Sequence, residues 1–148
     1  ANDRITRILS RLKANNVIVV ADSCYSGTIF RGELGDPILT QERKIDVFQR
    51  LIEKKTRVAL TSGGNKPVPD AVGGSSHSVF ANSFIRILRS NAKVLTASRL
   101  SNRLKERVIA ITRSYNIEQT PEFSNIHKAG HDGGDFLFVP KSMVFRSE

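Results

Sequence analysis

The single cysteine, Cys24, lies where a nucleophile could work. It follows the continuous apolar run VIVVA and stands within the polar, glycine-closed segment DSCYSG. A cysteine with a purely structural role behaves as a small buried apolar side chain. A thiol that attacks a carbonyl must instead be exposed, close to backbone N–H groups that stabilise the oxyanion. The setting of Cys24 therefore indicates a catalytic thiol, with a buried structural cysteine as the alternative.

Alternating helices and strands are predicted to position this segment. The spacing of apolar residues predicts helices over 3–14, 45–55, 78–90 and 98–115, and strands over 17–21, 58–61 and 134–140. Ser98 is expected to cap the last of these helices. The order of the elements indicates a layered α/β domain, and the absence of repeats or long linkers predicts one domain over 1–148. Functional residues in such sheets follow the carboxyl ends of the strands. We therefore expect DSCYSG and TSGGNKPVPD to share one edge.

Composition limits the possible partners. The chain has 148 residues and a net charge of +9, which favours anionic partners. The basic residues are scattered, however, and runs such as Lys54, Lys55 and Arg57 are predicted to be solvated surface rather than a nucleic-acid site. One cysteine excludes an internal disulfide, and no apolar run is long enough for a membrane span. We expect a cytoplasmic protein, with no membrane partner and nucleic acid disfavoured.

Four segments in order resemble the caspase-like cysteine peptidases, the family that includes metacaspases and bacterial caspase-family proteins. VIVVADSCYSG is similar to their nucleophile segment D-x-C-[HY]-S-G, and three later blocks follow in the family's order: RVALTSGGNKPVPD, SSHSVFANSFIRIL and EQTPEFSNIHKAGHDGGDFLFVP. The resemblance covers nearly the whole chain and corresponds to the C-terminal part of the catalytic domain. It implies a caspase–hemoglobinase-like three-layer sandwich, a mainly parallel sheet flanked by helices, with the N-terminal strands missing from this chain.

The resemblance implies roles for a few residues. Cys24 matches the nucleophile, and Asp22 matches the acid that binds an Arg or Lys side chain before the scissile bond. A carboxylate can bind a guanidinium through two hydrogen bonds, although Asp22 could also be a cap or turn residue. Asp70 falls where caspases build the rest of the substrate cleft, with a solvated loop residue as the alternative. Ser62 and Gly63 are further candidates for that cleft through backbone contacts.

The catalytic histidine of the family has no counterpart here. Its H-G or H-x-G loop precedes the cysteine strand, whereas His77, His127 and His131 all follow it. We read His77 as structural or at the cleft edge. The spacing of His127 and His131 could suggest a metal pair, but glycine-rich loop residues do not share a helical face, so no metal is expected.

The sequence therefore predicts a cysteine endopeptidase that cleaves peptide bonds after Arg or Lys and needs no cofactor. Its partners are a protein or peptide substrate and an N-terminal fragment of the same catalytic domain that carries the histidine. The alternative is a catalytically dead caspase-like binding or scaffold module.

Overall fold

The structure, a computed structural model, describes residues 2–22, 44–64 and 76–144. The helices within these ranges are α1 (Asn2–Arg11), α2 (Lys44–Glu53), α3 (Val79–Ser90), α4 (Ala97–Arg113) and α5 (Lys141–Val144). The strands are β1 (Asn16–Ala21), β2 (Thr56–Thr61), β3 (Leu95–Thr96), β4 (Glu122–Asn125) and β5 (Leu137–Phe138). The predicted mixed α/β class is confirmed for this part of the chain.

The main sheet has the order β1-β2-β4 and is mixed in direction. β1 and β2 pair in parallel over their whole length, from Asn16 opposite Thr56 to Ala21 opposite Thr61. β4 then pairs antiparallel to β2. Within the described residues this sheet thus contains one parallel and one antiparallel pairing, rather than the mainly parallel arrangement that was predicted.

Helices pack on both faces of this sheet. Leu60 of β2 joins a core cluster with Phe80 of α3 and Leu100 of α4, all at most 1% exposed. The next residue along the strand, Ala59, points to the opposite face, where Leu9 of α1 packs against it. Each fully buried Leu or Phe contributes about 1.5–3 kcal/mol. The flanking helices are therefore held against the sheet by its alternating side chains.

Two predictions about the C-terminal half were wrong in detail. The last long helix was predicted to begin after a Ser98 cap, but α4 begins at Ala97 and its N-cap is Thr96, whose side chain accepts from the N–H of Arg99. The strand predicted over 134–140 is limited to Leu137–Phe138 and pairs with β3 instead of the main sheet. Gly134 and the buried carboxylate of Asp135 come before these two residues and Pro140 comes after them, so the ladder does not continue in either direction.

Arg57 is a buried cation that joins α1 to the sheet. Its side chain is 0% exposed, which makes the prediction of a solvated residue wrong. The guanidinium donates to five backbone carbonyls, at distances of 2.7–3.0 Å: those of Leu9, Leu12, Ala14, Asn15 and Thr56. Leu9 lies in the last turn of α1, where the helix dipole favours a positive charge, and Leu12, Ala14 and Asn15 lie in the turn that follows the helix.

Asparagine side chains donate hydrogen bonds to the carbonyls at the C-terminal end of α2. The Nδ2 atom of Asn15 donates to the carbonyls of Ile52 and Glu53, and that of Asn16 donates to Ile52 as well. Asn15, in the turn between α1 and β1, therefore contacts both neighbours. Its backbone carbonyl accepts from Arg57, and its side chain donates to carbonyls at the C-terminal end of α2.

None of the helices in the described ranges is long and apolar enough to cross a membrane.

We expect Arg57→Met to lower the free energy of unfolding by about 3 kcal/mol or more, because it leaves several buried carbonyls without donors. Urea denaturation followed by circular dichroism measures this change. The matched control is Arg50→Met on α2, where the arginine is exposed and the effect should stay within about 0.5 kcal/mol. Equal stabilities of the two variants would contradict the role assigned to Arg57.

Candidate functional site

The carboxyl ends of β1 and β2 meet at one edge of the sheet, as predicted. Asp22 follows β1 and Ser62 follows β2, and the two strands are paired in register up to Ala21 and Thr61. The backbone N–H of Ser62 donates to the carbonyl of Ala21 at 3.1 Å, which extends the ladder to the edge. The side chain of Asp22 is exposed there. The edge therefore presents a carboxylate to solvent beside the buried Ser62.

Ser78 holds the Asp22 carboxylate. Its Oγ donates to Oδ2 of Asp22 at 2.5 Å and accepts from the backbone N–H of Ala81 at 2.9 Å. Ser78 is thus the N-cap of α3, a role for which serine is strongly preferred. Val79 and Phe80 directly after it are 3% and 1% exposed in the main core. The helix that carries this hydroxyl is therefore fixed firmly against the sheet.

Gly63 lies at the same edge, directly after Ser62, and is packed against the backbone of Thr120. It has a φ of +64°, a backbone conformation that glycine adopts without strain. A Cβ atom at this position would lie 1.7 Å from the carbonyl oxygen of Thr120, so no other residue fits. The close approach brings the segment before β4 onto the end of β2, next to Ser62. Gly63 was a candidate for the cleft through its backbone, and the structure places it beside the Asp22 edge.

Two of the predicted site residues, Cys24 and Asp70, lie outside the described residues. Asp22 and Ser62 are brought together, and Ser78 joins them, although the sequence did not single it out. His77 precedes Ser78 and is exposed just before α3 begins.

His131 belongs to a separate, structural cluster. Its Nδ1 accepts from the backbone N–H of Arg57 at 3.1 Å, which places the imidazole proton on Nε2 in the neutral form. The next residue, Asp132, donates its N–H to the carbonyl of Lys55 at 2.8 Å. Burial lowers the pKa of His131, and the carboxylates of Asp135 and Asp132 oppose this shift without reversing it. His131 therefore acts as a neutral acceptor that fastens its loop to β2.

Asp135 fastens the start of α4. Its Oδ2 accepts from the hydroxyl of Ser98 at 2.6 Å and from the N–H of Ser98 at 3.3 Å, and its Oδ1 accepts from the N–H of Phe136 at 2.7 Å. Burial raises the pKa of Asp135, and these hydrogen bonds oppose the rise. Ser98 therefore connects α4 to the C-terminal segment, instead of capping the helix as predicted.

Within ranges 2–22, 44–64 and 76–144, no group of three or more His, Cys, Asp or Glu side chains could hold a metal ion. His127 is exposed on the loop after β4, whereas His131 uses its Nδ1 for Arg57. The two histidines therefore have different surroundings, and nothing in this part of the chain pairs them as ligands.

No family model, curated protein or solved structure matches the chain. The resemblance to caspase-like peptidases stays a prediction. Asp22 pairs with Ser78 at the sheet edge. His131 is not part of that edge, because it accepts from the backbone N–H of Arg57 in β2.

Acidification should weaken the fold through His131. Because its pKa in the folded state is lowered from 6.5, the unfolded chain binds the proton more readily, so stability is full above pH 6.5 and falls below it. His131→Asn keeps an acceptor for Arg57 but does not titrate, so its urea midpoint should fall less between pH 7.5 and pH 5.5.

His127→Asn is the matched control, because His127 is exposed, and it should follow the wild-type profile. Since other groups also titrate, the measured quantity is the difference between each variant and the wild type at every pH. An identical loss of stability in His131→Asn and the wild type would show that the Arg57 contact does not depend on protonation.

Proposed function

We propose that the chain is the nucleophile-bearing part of a caspase-like cysteine endopeptidase that cleaves after Arg or Lys. The observation that carries this proposal is the Asp22 carboxylate, which lies two residues before the sole cysteine at the carboxyl end of β1, with one oxygen held by Ser78. This is a carboxylate that is exposed to a ligand and fixed in position by a separate element. Such pre-organisation is what a binding site for a cationic side chain requires.

In the proposed reaction the Cys24 sulfur attacks the carbonyl carbon of the scissile bond. The thiol proton passes to the histidine of the N-terminal segment, and the tetrahedral oxyanion accepts hydrogen bonds from backbone N–H groups, that of Cys24 among them. Collapse expels the amine, which takes the proton from the imidazolium, and leaves a thioester. A water molecule, deprotonated by the same histidine, then hydrolyses the thioester to the free acid and restores the thiol.

The charge of Asp22 supports the choice of a basic side chain before the scissile bond. A negatively charged group favours a guanidinium or ammonium over an aspartate side chain as its ligand. Asp70 is proposed to add a second negative charge to the same pocket.

The open edge of β1 supports the proposed N-terminal partner. Among the described strands β1 pairs only with β2, and Val20 at its end is 41% exposed. Ile5 and Ile8 of α1 are 46% and 54% exposed. A strand edge without a partner among the described residues, in a region that also exposes apolar side chains, is a surface that another strand could cover. We propose that the segment with the catalytic histidine adds to the sheet at this edge.

Covalent labelling tests the proposed function. The protein expressed from its full-length gene is treated with an acyloxymethylketone that carries Arg, and the adduct is mapped by mass spectrometry. We expect the adduct on Cys24, prevented by Cys24→Ala and not by an excess of the equivalent Asp probe. Asp22→Asn, which keeps the size of the side chain, should reduce the labelling rate at least tenfold, because it removes the charge that pairs with the probe.

Absence of any adduct on Cys24 would contradict the peptidase proposal and favour a catalytically dead binding module. Labelling that is equally fast in Asp22→Asn would leave the thiol chemistry intact but contradict the assignment of Asp22. The Asp probe reacting as fast as the Arg probe would contradict the basic specificity.

Ser78 is expected to act on specificity through Asp22. In Ser78→Ala we expect kcat/KM for an Arg substrate to fall about fivefold, mainly through KM, because the hydroxyl orients the carboxylate and does not touch the reacting atoms. Loss of the cap also lowers the stability of the fold by about 1 kcal/mol. Ser78→Thr keeps the hydroxyl and should restore most of the activity.

A double-mutant cycle separates this role from a general weakening of the fold. In an Asp22→Asn background, Ser78→Ala should reduce kcat/KM very little further, since the interaction is already broken. If the losses in kcat/KM of the two single variants add fully in the double variant, Ser78 affects activity only by capping α3 and not by holding Asp22.

A further inference from the structure

Three arginines of α3 and α4 border one surface groove, here named the arginine groove. Arg86 and Arg89 lie three residues apart on the same side of α3, and Arg107 faces them from α4. Ile87 and Ser90 complete the lining. Arg86 and Arg89 also line an adjacent hollow with Ile85, Asn82 and His77, so the basic surface continues toward the N-terminal end of α3. The groove thus combines cationic rims with apolar side chains.

Little in the described parts of the chain neutralises this charge. The two helices carry seven basic residues and a single acidic one, Glu106, and no ion pair involving Arg86, Arg89 or Arg107 is found among the residues described. The Nε–H group of Arg107 is buried without an acceptor there, although buried polar groups are nearly always hydrogen-bonded. Within the described residues, the Nε–H group of Arg107 is therefore left available to a ligand.

We propose that the arginine groove binds an acidic segment of a protein partner, in which carboxylates alternate with apolar side chains. Guanidinium groups bind carboxylates through pairs of hydrogen bonds, while Ile87 in the groove and Ile85 in the adjacent hollow offer apolar contacts. A nucleic acid would use the positive charge but gain little from these isoleucines, and the described residues that line the groove itself include no aromatic side chain on which a base could stack. The groove does not depend on Cys24 or Asp22, so this inference is independent of the peptidase proposal.

The test is binding of a fluorescein-labelled ten-residue peptide with alternating Glu and Leu, measured by fluorescence anisotropy on the full chain. We expect binding that the same peptide with Gln in place of Glu does not show. Arg86→Gln and Arg89→Gln, both at exposed positions, should each weaken binding about tenfold, and Arg107→Gln at least as much. Circular dichroism checks that each variant is folded.

Arg50→Gln on α2 is the matched control, since it removes the same charge from an exposed helix position elsewhere. It should weaken binding less than about twofold. An equal loss in Arg50→Gln and Arg86→Gln would show attraction by net charge alone and overturn the proposal. A single-stranded ten-nucleotide DNA that binds more tightly than the peptide, and loses affinity in the same three variants, would also overturn it, in favour of a nucleic-acid surface.

Discussion

The buried guanidinium of Arg57 is the interaction on which the described architecture depends. A charge with no exposed surface is tolerated only when its hydrogen bonds are complete, and here backbone carbonyls complete them. Since most of these carbonyls lie at the end of α1 and in the turn before β1, the residue fixes where β1 enters the sheet. Its own N–H holds His131, so the loop after β4 is tied to the same point.

Everything at the carboxyl edge of the sheet follows from that entry point. The register of β1 against β2 brings Asp22 beside Ser62, and the packing of α3 brings Ser78 to Asp22. Asp22 places a carboxylate at this edge, whereas α3 and α4 together carry seven basic residues and one acidic residue. In the described part of the chain α3 joins the two features, since it begins beside Asp22 and its last turns border the arginine groove.

Sequence patterns predicted the elements whose residues are uniformly apolar and missed those whose stability comes from distant partners. The strands β1 and β2 were predicted because their apolar runs are continuous, whereas β4, with the sequence EFSN, has neither an apolar run nor a clear alternation. Arg57 was predicted to be at the surface because nothing local shows that four of its five acceptors lie more than forty positions earlier. Serine is a favoured N-cap residue, but the helix begins at Ala97, so Thr96 is the N-cap. The hydroxyl of Ser98 donates to Asp135 instead.

The site shows the same limit. Asp22 was found from its neighbours in sequence, while Ser78, which holds it, is separated from it by 56 positions.

The Ser78 hydroxyl also makes its pairing with Asp22 observable. The N–H of Ala81, the Oγ–H of Ser78 and the Asp22 carboxylate form one chain of hydrogen bonds, and polarisation passes along such chains. The amide resonance of Ala81 in an NMR spectrum is consequently a built-in reporter of what occupies the carboxylate, inside a helix cap and away from the ligand itself.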